Sequence, residues 1–135
     1  MTLEEINAAV GLLAPLAGER QVLLKTCKRD GTWVGTPVSL AVEGDHAYFR
    51  TWHSSGKAKR LRNSPVVEIA PCNRRGEQTG PSIFGIAQLL TDGEEFHARS
   101  LITRRHPLLQ GLIVPITHRI RRVHTQHYVV HEITA

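Results

Sequence analysis

Cysteine is nearly absent: Cys27 and Cys72 are the only two in 135 residues. They are far apart and form no Cys-x-x-Cys pair, which excludes a disulfide framework and a zinc knuckle, so both read as reduced thiols. Aromatic residues make up 5% of the chain. That scarcity argues against a nucleic-acid binder, which needs stacking platforms among its cations. No apolar run approaches the roughly 18 residues of a membrane span. The first residues, with Glu4 and Glu5 among them, lack the basic-then-apolar pattern of a secretory leader. The expectation is a cytoplasmic protein with no membrane partner. Internal repeats, low-complexity tracts and linkers are also missing.

What is present is an ordinary globular composition, 41% hydrophobic and 21% charged. A chain of this length buries roughly two thirds of its unfolded surface around one core, so one domain is expected over 1–135. Lys and Arg outnumber Asp and Glu 17 to 12, giving +5 at pH 7. The excess favours an anionic partner. With so few aromatics, a phosphorylated small molecule is a more economical partner than DNA or RNA.

Thr2 and Glu5 have capping-box spacing, and Leu3, Ile6, Val10 and Leu13 recur at helical intervals until Pro15 and Gly18. The pattern then turns to β. Val22, Leu23 and Leu24 run toward Cys27, Asp30-Gly31 supplies a hairpin turn, and a second strand is expected from Trp33 to Val42. Glu43-Gly44-Asp45 turns the chain into a third strand, His46 to Trp52. A short helix over Lys57 to Arg62 must end near Asn63, because Pro65 biases Ser64 away from the α region. Val66 to Ala70 and Ser82 to Leu90 read as two further strands. Thr91 or Asp92 starts a helix to about Arg105, with Phe96, Leu101 and Ile102 as its apolar face. The stretch 108–123 fits no single element, and Val129, Val130 and Ile133 mark a closing strand. Six strands, the early ones joined by tight turns, predict a mainly β, antiparallel barrel with helical decoration.

The chemistry concentrates between Phe49 and Arg60. A strand bearing Arg50 and Thr51 enters the turn Ser54-Ser55-Gly56, which opens the helix bearing Lys57 and Arg60. Hydroxyls, backbone N–H groups and cations there can converge on one phosphate at the helix start. The turn is not a P-loop, because Thr51 stands where the first Gly belongs and Ala58 where a magnesium-binding Ser or Thr is required. A basic surface helix after a hairpin is the bland alternative.

Four blocks in order resemble the pyridoxamine 5'-phosphate oxidase-like split β-barrels, and within them the small members that use the deazaflavin coenzyme F420. The blocks are Thr36-Pro37-Val38; Arg50-Thr51 with Ser55-Gly56-Lys57; Arg60-Leu61-Arg62-Asn63-Ser64-Pro65; and Ala70-Pro71-Cys72 with Arg75-Gly76 and Gly80-Pro81. The resemblance covers about Gln21 to Leu90. It implies a six-stranded antiparallel split barrel. It further implies that Thr36, Pro37 and Val38 line a flavin-type ring through their backbone. Arg50, Thr51, Ser55, Gly56, Lys57 and Arg60 would surround the phosphate, and Ala70, Pro71 and Cys72 would form another wall. A homodimer with the cofactor at its interface is also implied. Gly56 occupies a position where the oxidases proper tend to carry a cation, and their substrate-phosphate residues find no counterpart near the C-terminus. Coenzyme F420 is therefore expected ahead of FMN, with a hydride-transfer activity on a small molecule; a non-catalytic carrier is the third reading.

The histidines His118, His124, His127 and His131 invite a metal. On a strand, however, His127 and His131 would stand about 13 Å apart, too far to share an ion. They are expected at the surface or an interface, and no metal site is expected. Cys72 reads as packing, Trp33 and Trp52 as core or ring cover, and Asp92, Glu94 and Glu95 as first-turn helix charges. No triad or carboxylate pair is visible, so no catalytic side chain is assigned.

Overall fold

A computed structural model describes residues 12–52, 55–106 and 125–133. The N-terminal helix expected from Thr2, the segment 108–123 with His118, and His124 lie outside the described residues. Among those described, the elements are β1 (Val22–Cys27), β2 (Trp33–Val38), β3 (Ala41–Glu43), β4 (His46–Trp52), α1 (Gly56–Asn63), β5 (Val66–Pro71), β6 (Ile83–Leu89), α2 (Asp92–Arg105) and β7 (Thr125–Glu132), preceded by a 3-10 turn at Ala14–Leu16.

The strands form one antiparallel sheet in the order β2-β1-β5-β6-β7-β4-β3. β2 and β3 lie at opposite edges, yet only Ser39 and Leu40 separate them in sequence. From Val38 to Ala41 the chain spans no more than roughly 11 Å, so the sheet must curl enough to bring its two edges near one another at this link. The expected strand from Trp33 to Val42 is thus broken in two, and the count is seven rather than six. The hydrophobic pattern continues through the break because Val38 and Leu40 both stay buried where the chain crosses the seam.

Alternation decides what fills the barrel. Val22, Leu24 and Thr26 on β1, Ala47, Phe49 and Thr51 on β4, and Val67 and Ile69 on β5 are buried every second residue. Phe49 faces Tyr128 across the β4–β7 ladder, their rings stacked 5.2 Å apart and nearly parallel. Leu13 and Leu16 join the core on one side, Leu61 of α1 on another. The Glu132 carboxylate accepts hydrogen bonds from the N–H groups of Leu12 and Leu13, at 2.6 and 3.0 Å, and ties the 3-10 turn to β7.

β6 carries Gly85 in this packed interior. A Cβ there would lie 2.7 Å from Val130 Cγ1 and 3.1 Å from the His131 carbonyl oxygen, which as backbone cannot yield. Gly85→Ala is expected to destabilise the fold by roughly 1–2 kcal/mol, within the range for overpacking. A shift of the urea midpoint with unchanged slope would show it.

Helix α2 lies on the outer face of β3, β4 and β7, burying Ala98, Leu101 and Ile102 against Ala41, Tyr48 and Val129. Its start follows the expected cap: the Glu94 carboxylate reaches back to Thr91, 2.8 Å from Oγ1 and 3.3 Å from its N–H. Phe96 is not part of the buried face, being 75% exposed. Leu101 and Ile102 alone keep the phase that meets the sheet. His97 donates to the Glu43 carboxylate at 2.9 Å, and His46 lies 3.3 Å from it, so one acid fastens α2 to the β3–β4 hairpin. That bonding, His97 foremost, holds Glu43 below the ordinary carboxylate range.

Candidate functional site

α1 begins where β4 ends. Ser55 caps it, its Oγ accepting from the Ala58 N–H at 3.1 Å, and the Thr51 hydroxyl lies 2.9 Å from the same oxygen. Ser54 lies outside the described residues. Ala58 and Leu61 turn into the barrel end. That leaves Lys57 half-buried at the helix start. Desolvation, then the positive charge of Arg60, lowers its ammonium pKa. A cation in this position gains from an anion beside it more than an exposed lysine does.

Arg60 is held on both sides. Its Nε donates to Oγ1 of Thr26, a fully buried residue of β1, at 2.5 Å. Its Nη1 lies only 2.9 Å from where a Cβ on Gly56 would stand. Glycine at position 56 therefore leaves room for the guanidinium to fold back over the start of α1. Arg60, four residues on, thus brings a cation beside position 56.

Thr51, Ser55, Gly56, Lys57 and Arg60 thus come together. Arg50 is separated from them. Adjacent strand residues point to opposite faces; Thr51 turns inward, and Arg50 pairs in register with His127 on the face covered by α2. Burial, then the charge of Arg99, brings the Arg50 pKa down to about 10.

The two predicted ring walls flank β1. Pro37, Leu23 and Ala70 form one row across β2, β1 and β5, and Val38, Val22 and Pro71 the next. Thr36 and Val38 share the inward side with Leu24 and Val22, so toward a ligand outside the barrel they offer backbone. β2 pairs only with β1 among the described strands, which leaves its other edge open. Pro37, lacking an N–H, suits such an edge. Gly76 adopts φ +81°, and a Cβ there would lie 3.2 Å from Pro37 Cγ, so the turn at Gly76 packs against the Pro37 ring. The row through Leu23 lies three residues along β1 from Thr26, about 10 Å by strand rise. Arg60 stands at one end of that span and Pro37 and Ala70 at the other.

Cys72 is buried, its Sγ 3.8 Å from the Gln21 carbonyl oxygen. Burial, with the Glu19 charge second, pushes its thiol pKa up. Such a thiol stays protonated and serves packing, as expected. Cys27 is half-buried at the other end of β1.

His127, expected at the surface or an interface, is 1% exposed within the chain. Its Nδ1 lies 3.4 Å from the Glu95 carboxylate, while Nε2 has no hydrogen-bond partner. Desolvation lowers its pKa, opposed by Glu95 and reinforced by Arg50 and Arg99. Glu95 is therefore more than a first-turn charge. Between the depressed folded-state pKa and the ordinary value of about 6.5 the unfolded chain binds more protons than the folded one. Stability contributed by neutral His127 is present above about pH 6.5 and is lost as the pH falls through the folded-state pKa. His127→Gln should flatten that slope in denaturant melts between pH 7 and 5; a slope matching the parent's would refute the assignment.

Thr26 is the site residue that sequence reasoning missed, and the pairing of Glu95 with His127 lies on the other face of β4. Thr26 is a polar residue in phase with inward Val22 and Leu24, the one signal that something inside needs a hydroxyl. Among the described residues no group of His, Cys, Asp or Glu is arranged to hold a metal ion, and no helix is long and apolar enough to cross a membrane.

No protein-family model matches the sequence, and no curated protein matches it significantly. Solved structures do resemble it. A Listeria innocua protein provisionally named pyridoxamine 5'-phosphate oxidase superimposes with a TM-score of 0.62 at 17% identity, covering 91% of each chain. An F420 reductase gives 0.59 at 15% identity over 89% of this chain and 92% of its own. A Mesorhizobium loti FAD-binding protein gives 0.61 at 15% identity over 99% and 90%. The curled antiparallel sheet with its two helices is accordingly the mainly β split barrel of the pyridoxamine 5'-phosphate oxidase-like proteins, as the blocks between Thr36 and Pro81 led one to expect.

Proposed function

We propose that this chain binds a flavin-type mononucleotide, coenzyme F420 ahead of FMN, and is an oxidoreductase that transfers a hydride to or from a small molecule. One observation carries the reading. At the start of α1 a half-buried lysine and a braced arginine face each other beside two hydroxyls, and the charge acting on Lys57 is another cation. Two like charges held together in part-desolvated surroundings are stabilised by a bound oxyanion, and a phosphate fits that donor set. The structural neighbours named for F420 and FAD chemistry support the same cofactor class.

When bound, the ring supplies the hydride chemistry. The protein's part is placement. Lys57, Arg60, Ser55 and Thr51 hold the phosphate, with Arg50 adding positive potential from the other face of β4. The interior is filled by Val22, Leu24, Phe49, Ile69 and Val130, which leaves no room for a ring inside. The ring therefore lies outside, along the open edge of β2 and the Leu23–Ala70 row, with Pro37, Pro71 and Cys72 at its border. A surface position excludes water only if something covers it, and we assign that cover to a second copy of the chain in a twofold dimer. Light scattering at working concentration should return twice the chain mass.

Titration of purified protein with each cofactor tests the reading. A yellow preparation carrying flavin selects FMN, whereas colourless protein that quenches added F420 selects the deazaflavin. Tight binding without turnover against any acceptor makes the chain a carrier. Failure of both to bind rejects the proposal.

A further inference from the structure

A second basic site lies at the opposite end of α1. A cleft of about 490 Å³ opens between the tip of the β1–β2 hairpin and the last turns of this helix. Lys28 and Arg29 line it from the hairpin; Lys59, Arg60 and Arg62 line it from the helix, and Asn63 adds an amide. None of its lining residues is acidic.

Cations in the last turn of a helix are favoured by its dipole, and that accounts for Arg60 and Arg62 without any ligand. It does not account for Lys28 and Arg29. These come from another element, some thirty residues earlier, and converge on the same concavity. Arg60, held by buried Thr26, gives the cleft one fixed cation, while Lys28, Arg29, Lys59 and Arg62 are exposed around it. A concave basic surface concentrates field and raises the local concentration of anions. The volume is that of a small-molecule site. No aromatic side chain lines it, so it offers no stacking platform for nucleic-acid bases.

The geometry points to a site for a compact oxyanion carrying three or more negative charges, separate from the phosphate cradle at the start of α1. Guanidinium forks from Arg29 and Arg62 and the ammonium groups of Lys28 and Lys59 grip its oxygens from opposite walls, and Arg60 forms the boundary with the cradle. A single monovalent anion does not engage both walls, so recognition depends on charge number.

Calorimetric titration of the full chain with sodium tripolyphosphate and, separately, with orthophosphate tests this. Tripolyphosphate should bind at least tenfold tighter. The double variant R29A/K59A, altered only at exposed positions outside the cradle, should lose at least tenfold in tripolyphosphate affinity while its affinity for F420 or FMN stays within twofold of the parent. Lys59→Glu alone should weaken tripolyphosphate in the same direction. Equal affinity for the two anions would overturn the proposal, and so would parental tripolyphosphate binding by the double variant. A matching loss of cofactor affinity would merge the cleft with the cofactor site and overturn it too. Should neither cofactor bind at all, the flavin reading falls and the comparison of the two anions still decides this site.

Discussion

Replacing Phe49 by alanine is expected to cost about 3–5 kcal/mol of folding stability, the range for removing a buried phenylalanine. Phe49 is wholly buried, stands midway along β4, and stacks on Tyr128 of β7 in the register that joins the two strands. Its removal leaves a void between strands that are themselves tied by a continuous ladder, so the walls have little freedom to collapse. With domain stabilities commonly about 5–15 kcal/mol, the loss would be a large share of the total. Equilibrium urea unfolding reads it directly. A change below about 1 kcal/mol would mean that Phe49 does not sit in the core.

Lys57→Ala is expected to weaken cofactor binding by about 1–3 kcal/mol, roughly five- to 150-fold in Kd, the range for losing a charge-assisted hydrogen bond. Stability should move the other way or not at all. The lysine is half-buried beside Arg60, and both burial and that repulsion disfavour its charged form. Removing it relieves both in the free protein. A titration in which K57A binds as tightly as the parent would reject the cradle, and a melt showing strong destabilisation would make Lys57 a structural residue.

Changes at Thr26 and at Arg50 separate the parts of the cradle further. The hydroxyls of Thr51 and Ser55 already serve each other and the Ala58 N–H, so they are oriented before any ligand arrives. Arg60 depends on Thr26 for its position, so a change at Thr26 acts on the anion site from inside the barrel. Arg50, on the other face of β4, reaches the same region only as field. Its loss is expected to matter less than that of Lys57.

Much of this architecture was written locally in the chain. The run Val22-Leu23-Leu24 marks a strand, but three apolar residues in a row do not say which face turns inward, and the fold puts Val22, Leu24 and Thr26 inside. Asp30-Gly31 and Gly44 mark turns through backbone that a side chain disfavours, with φ +88° and +63° at the two glycines. Ser55 and Thr91 begin helices through contacts three residues away. The blocks from Thr36 to Pro81 carried a resemblance to split barrels, and the fold agrees with it. Tertiary structure decided which strand edges meet and which side chains share a face. It broke the Trp33–Val42 strand at the seam and sent Arg50 to the opposite side from Thr51. It buried His127 against Glu95, 32 residues away, left Phe96 outside, and brought Arg60 to Thr26 across 34 positions. These outcomes depend on how far a seven-stranded sheet curls to bring residues distant in sequence together, a global condition that no short window of sequence contains.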